Sequence, residues 1–459
     1  MTKQLYDFIV PDDGTFKEAV AAAADRDDTS ARYRIFIKKG TYTLPYDEST
    51  TITGTDGNAY PSPITYLSTP NVSIIGEDMD ETIITNDLYN NTAEGTAYPI
   101  EGLGNVTTLY LQKAATNTYM QDITLWNGLN DACGRGEALR DQSNKTICKD
   151  VYLHGYQDTY CSNNGSSRYY FEGGVIRGRT DYLCGKDDIF FNGVEIRHAT
   201  SGGYVTAPSS PKQYGYVFRD CTITGETSSV TGNYTLGRPW GSGTPKCYYI
   251  NTTMEAIPSD AGWSEMSGGW PARFAEYNSM TSSGTVIDLS NRKTTFADSY
   301  TNDPVLTEEE AAELTLANVM GADDDWDPTE DTEQASAPTN VVIEGTTLTW
   351  DDNNYVLLWA VCKDGDVIDF TIEPTYTVDD TSATYSVRAA NEMGGLGDAT
   401  VAGESTGINE VNASAAGDVI STKYYNLQGM SVDKTSSGVL IKVETTNDGR
   451  QTATKIINK

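Results

Sequence analysis

At 459 residues the chain is long enough for two or three domains and a large apolar core, so it needs no metal or disulfide framework to fold. Its 32 basic residues stand against 65 acidic ones, and a formal charge of −33 argues against a polyanion such as nucleic acid, or an acidic membrane surface, as partner. Only two histidines occur, His154 and His198, with no Gly-x-Ser-x-Gly elbow, which argues against a Ser-His-Asp hydrolase. Cys133, Cys148, Cys161, Cys184, Cys221, Cys247 and Cys362 are scattered and odd in number, unlike a disulfide scaffold. No Cys/His cluster has metal-ligand spacing, so no metal or other cofactor is implied. No apolar run reaches membrane-spanning length, and Met1–Phe8 lacks the pattern of a signal peptide. The expected start is that of an exported chain whose signal has been removed, with Met1 added.

In chain order, Phe16–Ala24 predicts a short helix suited to cover the open end of a stacked β structure. From Asp7 to about Ser290 there follow short β-branched and aromatic runs broken by Gly, Asn, Asp and Ser. Examples are Arg34–Ile37, Val72–Gly76, Thr108–Leu111, Ile123–Trp126 and Tyr216–Phe218. These predict an all-β body, and a sandwich or a solenoid would fit the pattern. Thr307 and Glu310 have capping-box spacing and predict a helix running toward Met320-Gly321. Ala322–Asn340 is acidic and contains Ser and Pro, as a linker does. Beyond it Val341–Ile343, Thr346–Trp350 and Tyr385–Asn391 predict strands, with Trp350 as a core indole. Tyr424–Met430, Gly438–Lys442 and Lys455–Lys459 predict a last β module.

Three segments carry the chemistry: Gln157-Asp158-Thr159, Asp181-Tyr182-Leu183-Cys184-Gly185 and Leu236-Gly237-Arg238-Pro239-Trp240. Asp158 and Asp181 lie 23 positions apart, about one coil of a right-handed parallel β-helix, so the two carboxyls are expected to stack. Neighbouring strands lie about 4.8 Å apart, and two acids that close cannot both ionise freely. Arg238, paired with Asp181, would keep that carboxylate charged and leave the proton on Asp158.

Together the three segments resemble the signature of the pectin methylesterases, which carry QDT, a DFIFG-like segment and LGRPW in this order. Lys39-Gly40-Thr41-Tyr42, Gly262-Trp263 and Ala275-Glu276-Tyr277-Asn278 extend the resemblance over about residues 5 to 328. It implies a carboxylic ester hydrolase, acting without cofactor, that demethylates methyl-esterified homogalacturonan to pectate and methanol outside the cell. Asp181 would be the nucleophile, Asp158 the acid and base, Gln157 an oxyanion donor and Arg238 the partner of Asp181. Trp240, Arg135 and Tyr182 would bind substrate. His154 is expected to pack or face solvent.

The family's second glutamine, from a QAVALR-like segment, is replaced here in Arg135-Gly136-Glu137-Ala138-Leu139-Arg140, where Arg135 stands 22 positions before Gln157. Cys161 and Cys184 stand where the family has aromatic residues, and their matching offsets from the aspartates suggest a disulfide across adjacent coils. The strands after residue 329 resemble a fibronectin type III-like sandwich, and the last fifty residues resemble a bacterial C-terminal sorting domain used with outer-membrane export machinery. The expected fold is therefore all-β, a right-handed parallel β-helix followed by one or two small β-sandwich modules. Its divisions are 1–328 (catalytic), 329–405 and 406–459. Two other functions stay open: a non-catalytic pectin-binding protein, and a pectate lyase or polygalacturonase.

Overall fold

The computed structural model describes residues 2–54, 56–86, 88, 105–129, 131, 134–241, 243–353, 355–403, 419–425, 431–432, 434, 438–446 and 451–458. Between Phe8 and Thr281 the short apolar runs become parallel strands paired with the strand one coil away, and an antiparallel hairpin of Asp47–Thr53 and Ala59–Ser62 interrupts the coils. One wall is a sheet of seven strands in the order Thr65–Leu67, Leu109–Leu111, Leu139–Asp141, Tyr160–Ser162, Thr180–Gly185, Tyr204–Pro208 and Thr235–Gly237. The other strands of the coil join into a single sheet because two long strands turn a corner. Tyr119–Trp126 pairs with both Val72–Gly76 and Thr82–Asn86, and Thr146–His154 pairs with both Arg168–Glu172 and Val175–Gly178. At each corner stands an aspartate at positive φ, Asp122 (54°) and Asp150 (48°), a conformation that Asp tolerates better than most residues. The architecture is a parallel β-helix.

Its interior is built of columns. Register places Ile35, Ile74, Met120, Cys148, Phe171, Phe191, Phe218 and Tyr249 one above another. The Phe191–Phe218 and Phe218–Tyr249 rings stack at 4.3 and 4.4 Å, both 5° from parallel. In a parallel ladder identical positions repeat at the strand spacing, which suits flat rings. The next residue in the column is Glu276, fully buried and held by Arg292 at 2.6 and 3.3 Å and by the Ser279 hydroxyl at 2.8 Å. A buried carboxylate is tolerated there because its partners satisfy it. Trp263 packs against Tyr249 and Phe274 in the same core.

The first helix, Phe16–Asp25, starts at a capping box of Thr15 and Glu18 and buries Phe16, Ala19, Val20 and Ala23 against the solenoid core. The helix expected from Thr307 begins there, with its capping box formed, but is split in two. Glu308–Glu313 ends, and Thr315 caps a new start for Leu316–Gly321 by accepting from the Asn318 N–H at 3.1 Å. The expected linker contains a further short helix, Thr329–Thr332. Residues 342–401 form two antiparallel sheets: Val342–Glu344, Thr347–Thr349 and Thr375–Thr377 in one; Asp366–Thr371, Trp359–Lys363, Tyr385–Ala390 and Leu396–Val401 in the other. Trp350 is buried between them, edge-on to Trp359 at 5.7 Å.

Residues 2–402 form one compact unit. A single apolar cluster joins the outer face of the solenoid (Phe36, Ile75, Tyr170, Phe190) to Val319 and Met320, and to Leu357, Leu358 and Met393 of the sandwich. Tyr6, Phe36 and Phe370 form a three-ring contact at 4.8 to 5.0 Å. Glu77 accepts the Val367 N–H at 2.7 Å, and Arg388 donates to the Glu77 carbonyl at 3.0 Å. The second unit, 403–459, holds a four-stranded antiparallel sheet of Val419–Tyr425, Ser431–Val432, Gly438–Thr446 and Gln451–Asn458. Asn426–Met430, Lys459, Met1 and Cys133 lie outside the described residues.

Because the sandwich covers apolar solenoid surface, a chain ending at Pro328 is expected to melt at a lower temperature and to bind an apolar dye more strongly than the full chain. Equal melting temperatures in thermal denaturation would show that the shared cluster contributes nothing to the solenoid.

Candidate active site

The seven-stranded wall brings the three chemical segments to one place. Isolated parallel bridges stack Arg135 on Gln157 and Gln157 on Thr180, so Asp158 and Asp181 follow at successive levels. The main chain fixes the offset: the Gly136 N–H donates to the Gln157 carbonyl at 3.0 Å, and the Asp158 N–H to that of Thr180 at 3.2 Å. Both aspartates have positive φ, 61° and 51°, which turns their carboxyls out of the regular alternation. Near Asp181 the ladder slips by one residue between Thr180 and Leu183.

Two motif glycines have plain steric reasons. A Cβ on Gly237 would lie 2.1 Å from the Thr206 hydroxyl, and one on Gly185 would lie 1.8 Å from the Ser162 carbonyl oxygen, where φ is also +112°. Beyond Gly237 the chain is held by the Arg238 N–H on Thr206 O (3.0 Å) and the Trp240 N–H on Pro208 O (2.9 Å). Arg238 then reaches Asp181 with two bonds, Nε to Oδ1 at 2.9 Å and a terminal nitrogen to Oδ2 at 2.6 Å. Its guanidinium lies 3.8 Å from the centre of the Tyr204 ring.

Arg135, Gln157, Asp158, Asp181, Arg238 and Trp240 line a cavity of about 150 Å³, together with Cys184, Ala207 and Met266. Tyr182 does not. It is fully buried in the solenoid interior, beside His198, because successive residues of a strand face opposite ways and Asp181 faces out. The expectation that Tyr182 binds substrate is corrected accordingly. Cys161 and Cys184 are register partners, but both are free thiols, and with Ala207 they form an apolar seat for Trp240. In a parallel ladder the two Cα–Cβ bonds run side by side, so the Cβ atoms stay near the strand spacing of about 4.8 Å, wider than a disulfide takes.

Asp158 and Asp181 are only 6% and 4% exposed. Burial raises the Asp181 carboxyl, and the Arg238 hydrogen bonds and charge oppose the rise. Asp158 is pushed up to about 8, first by burial and then by the charges of Asp181 and Glu137, against Arg135 and Arg238. At neutral pH the proton of the pair therefore sits on Asp158. Glu137 is a residue that the sequence reading passed over. It is buried, accepts from Arg140 at 3.0 Å and from the Thr107 hydroxyl, and stands close enough for its charge to raise the Asp158 carboxyl. Tyr204 and Met266 were also unforeseen, since neither lies in the three segments.

Neither histidine takes part. His154 packs against Trp126 at 4.8 Å, tilted by 34°, and is pushed down to about 4 by burial, while His198 stacks on Tyr234 and bonds the Gly202 carbonyl at 2.7 Å. Among the described residues no group of three or more His, Cys, Asp and Glu is placed to hold a metal.

A parallel β-helix that presents stacked acids, an amide and a guanidinium on one wall defines a solenoid with a paired-aspartate site. Residues 9–323 match the family model described as Pectinesterase, and the chain belongs to that family. Curated relatives include Pectinesterase 1 of Solanum lycopersicum, 25% identical over 304 residues, 62% of this chain and 49% of that protein. Another, Probable pectinesterase 50 of Arabidopsis thaliana, is 28% identical over 208 residues, covering 43% of this chain and 53% of that one. The chain thus spans about half the length of these relatives. Among solved structures, pectin methylesterase from carrot superposes with a TM-score of 0.55 at 21% identity over 73% of this chain and 99% of that one. Pectin methylesterase PemA from Erwinia chrysanthemi gives 0.52 at 21%, over 71% and 99%. At such identities the likeness is one of fold.

Neutral buried Asp158 has a consequence for stability. Its folded pKa lies above its unfolded value near 4, so the unfolded chain sheds this proton first, and the native state loses stability as pH rises from about 4 to about 8. Asp158→Asn is expected to raise the melting temperature, and by more at pH 8 than at pH 4. An equal change at both pH values in calorimetry would place the Asp158 carboxyl in a normal environment.

Proposed function

We propose that the protein is a carboxylic ester hydrolase that demethylates methyl-esterified homogalacturonan to pectate and methanol. The observation that carries this reading is the bidentate Arg238–Asp181 pair beside the buried Asp158 carboxyl, which burial and its neighbours' charges push up to about 8, in a chain of the pectinesterase family. One structural neighbour, a pectin methylesterase, was solved in complex with a hexasaccharide, which supports a sugar polymer as substrate.

The Asp181 carboxylate attacks the ester carbonyl carbon, and the oxyanion that forms accepts from the Gln157 side-chain amide, a contact of the order of 3 kcal/mol. Asp158 gives its proton to the departing methoxide, and methanol leaves an acyl-enzyme anhydride on Asp181. Asp158, now ionised, takes a proton from water, whose oxygen attacks the same carbon. The galacturonate carboxyl departs and Asp181 is again a carboxylate held by Arg238. Trp240, seated on Cys161, Cys184 and Ala207, offers an apolar face to a sugar ring. Arg135, exposed to solvent, is among the residues that line the cavity.

A second reading, pectin binding without turnover, rests on Arg135 where the family has a glutamine. The family match does not favour a lyase or polygalacturonase. We further read 342–401 as fibronectin type III-like. Its seven strands divide as first, second and fifth in one sheet and fourth, third, sixth and seventh in the other, which supports this. The 403–459 unit would then be a sorting module for export through a bacterial outer membrane, and the enzyme would work outside the cell.

Asp181→Asn is expected to abolish methanol release from methylated pectin, and Arg238→Ala to lower it by at least a hundredfold, with circular dichroism unchanged. Near-normal turnover of the Asp181 variant would rule out the covalent route. Since Asp158 must hold its proton to act as acid, kcat/KM should fall as pH rises through about 8. Arg135 favours the ionised form of Asp158, so Arg135→Gln should move this basic limb upward. A fixed limb in the pH profile would mean that the Arg135 charge does not reach Asp158.

A further inference from the structure

The sheet that carries the aspartates continues past them toward the first coil, and its outward column can be followed residue by residue. Ala207 pairs with Cys184, Cys184 with Cys161, Cys161 with Arg140, Arg140 with Tyr110 and Tyr110 with Tyr66. Trp240 covers the Ala207, Cys184 and Cys161 part. At the other end the column turns aromatic. Tyr66 and Tyr110 are each flanked by buried neighbours, so their rings face outward, and both are part-exposed. Their centroids are 5.4 Å apart, and the Arg140 guanidinium lies 5.2 Å from the Tyr110 ring centre.

Tyr66 also opens onto a cavity of about 700 Å³ walled by Lys17 of the first helix and by Tyr46, Asp47 and Glu48. The strand Tyr160–Ser162, next to Asp158, and the strand Thr65–Leu67 are three ladder steps apart, roughly 14 Å. A polymer lying across the strands over the aspartate pair would meet these rings with its more distant units.

The charges around the rings decide which units. Arg140 is paired with the Glu137 carboxylate at 3.0 Å, and Lys17 donates to the Pro45 carbonyl. Asp47 and Glu48 stand on the rim. The cavity lining sets three acids, Asp25, Asp47 and Glu48, against one cation, Lys17, so an ionised galacturonate would meet net negative charge, whereas a methyl ester brings no charge and adds a methyl group to the contact.

We propose that Tyr66 and Tyr110 form a distal subsite of the groove that takes a methyl-esterified sugar unit while another unit reacts at the aspartate pair. This rests on the demethylase reading above. The subsite makes the enzyme prefer long, esterified stretches on that side of the reacting residue.

The test uses the full chain and methyl-esterified oligogalacturonides, a trimer too short to reach the tyrosines and a decamer long enough to do so. Tyr66→Ala and Tyr110→Ala should raise KM for the decamer by about five- to tenfold, the order that one aromatic face contributes, with kcat unchanged and the trimer unaffected. Tyr66→Phe and Tyr110→Phe should restore normal KM. Asp47→Asn with Glu48→Gln should make the fully de-esterified decamer a several-fold better competitive inhibitor. Equal loss on trimer and decamer, or no change on either, overturns the subsite; an unchanged inhibition constant overturns its preference for esters. If the unmodified protein turned over neither oligomer, the demethylase reading would fail, and calorimetric titration with the esterified decamer would still report the tyrosines directly.

Discussion

Parallel, in-register pairing between coils is the constraint from which the rest of this molecule follows. One residue per level, repeated at the strand spacing, turns a sequence interval of one coil into a contact. It stacks Phe171, Phe191, Phe218 and Tyr249 inside the solenoid, and on the outer wall it brings the Asp158 and Asp181 segments together. The same pairing determines what each acid becomes. Two carboxyls one step apart and largely out of water cannot both be charged, so a single asymmetric partner, Arg238 on Asp181, decides where the proton rests.

Residues 135–140 show how local substitutions share that field. Arg135 brings a cation toward Asp158, and Glu137, two residues on, brings a buried anion held by Arg140 and Thr107. Their effects on the Asp158 carboxyl have opposite signs. Arg135 is solvated and open to salt screening, while Glu137 is enclosed, so the inner charge acts through the lower dielectric.

Much of this was readable from the sequence because solenoid chemistry is periodic. The spacing of Asp158 and Asp181, the Leu236–Trp240 segment and the capping residues Thr307 and Glu310 each encode local geometry, and each stands where it was expected. Tyr182 was misread because the one-residue slip between Thr180 and Leu183 does not show in a motif; only the ladder reveals which of two adjacent residues faces out. The disulfide was misread for a related reason, since equal offsets give register but not the direction of Cβ. Tyr204 and Met266 lie outside the motifs in sequence and reach the site only through the coil. The shared cluster beneath the sandwich left no periodic trace either, because it joins residues more than three hundred positions apart.

That cluster changes what kind of object the solenoid is. A bare stack of coils is held by nearest-neighbour contacts and can fray from either end, one turn at a time. Here the segment from Leu306 to Met320 and the sandwich behind it run across the ladder, touching side chains from the first coil to the last: Phe36, Ile75, Ile147, Tyr170, Phe190, Val217, Tyr248 and Ala275. A turn cannot loosen without loosening the splint. Side chains of the first coils and of the last thus share one apolar cluster with the splint, a set of contacts between distant turns that a bare stack of coils lacks.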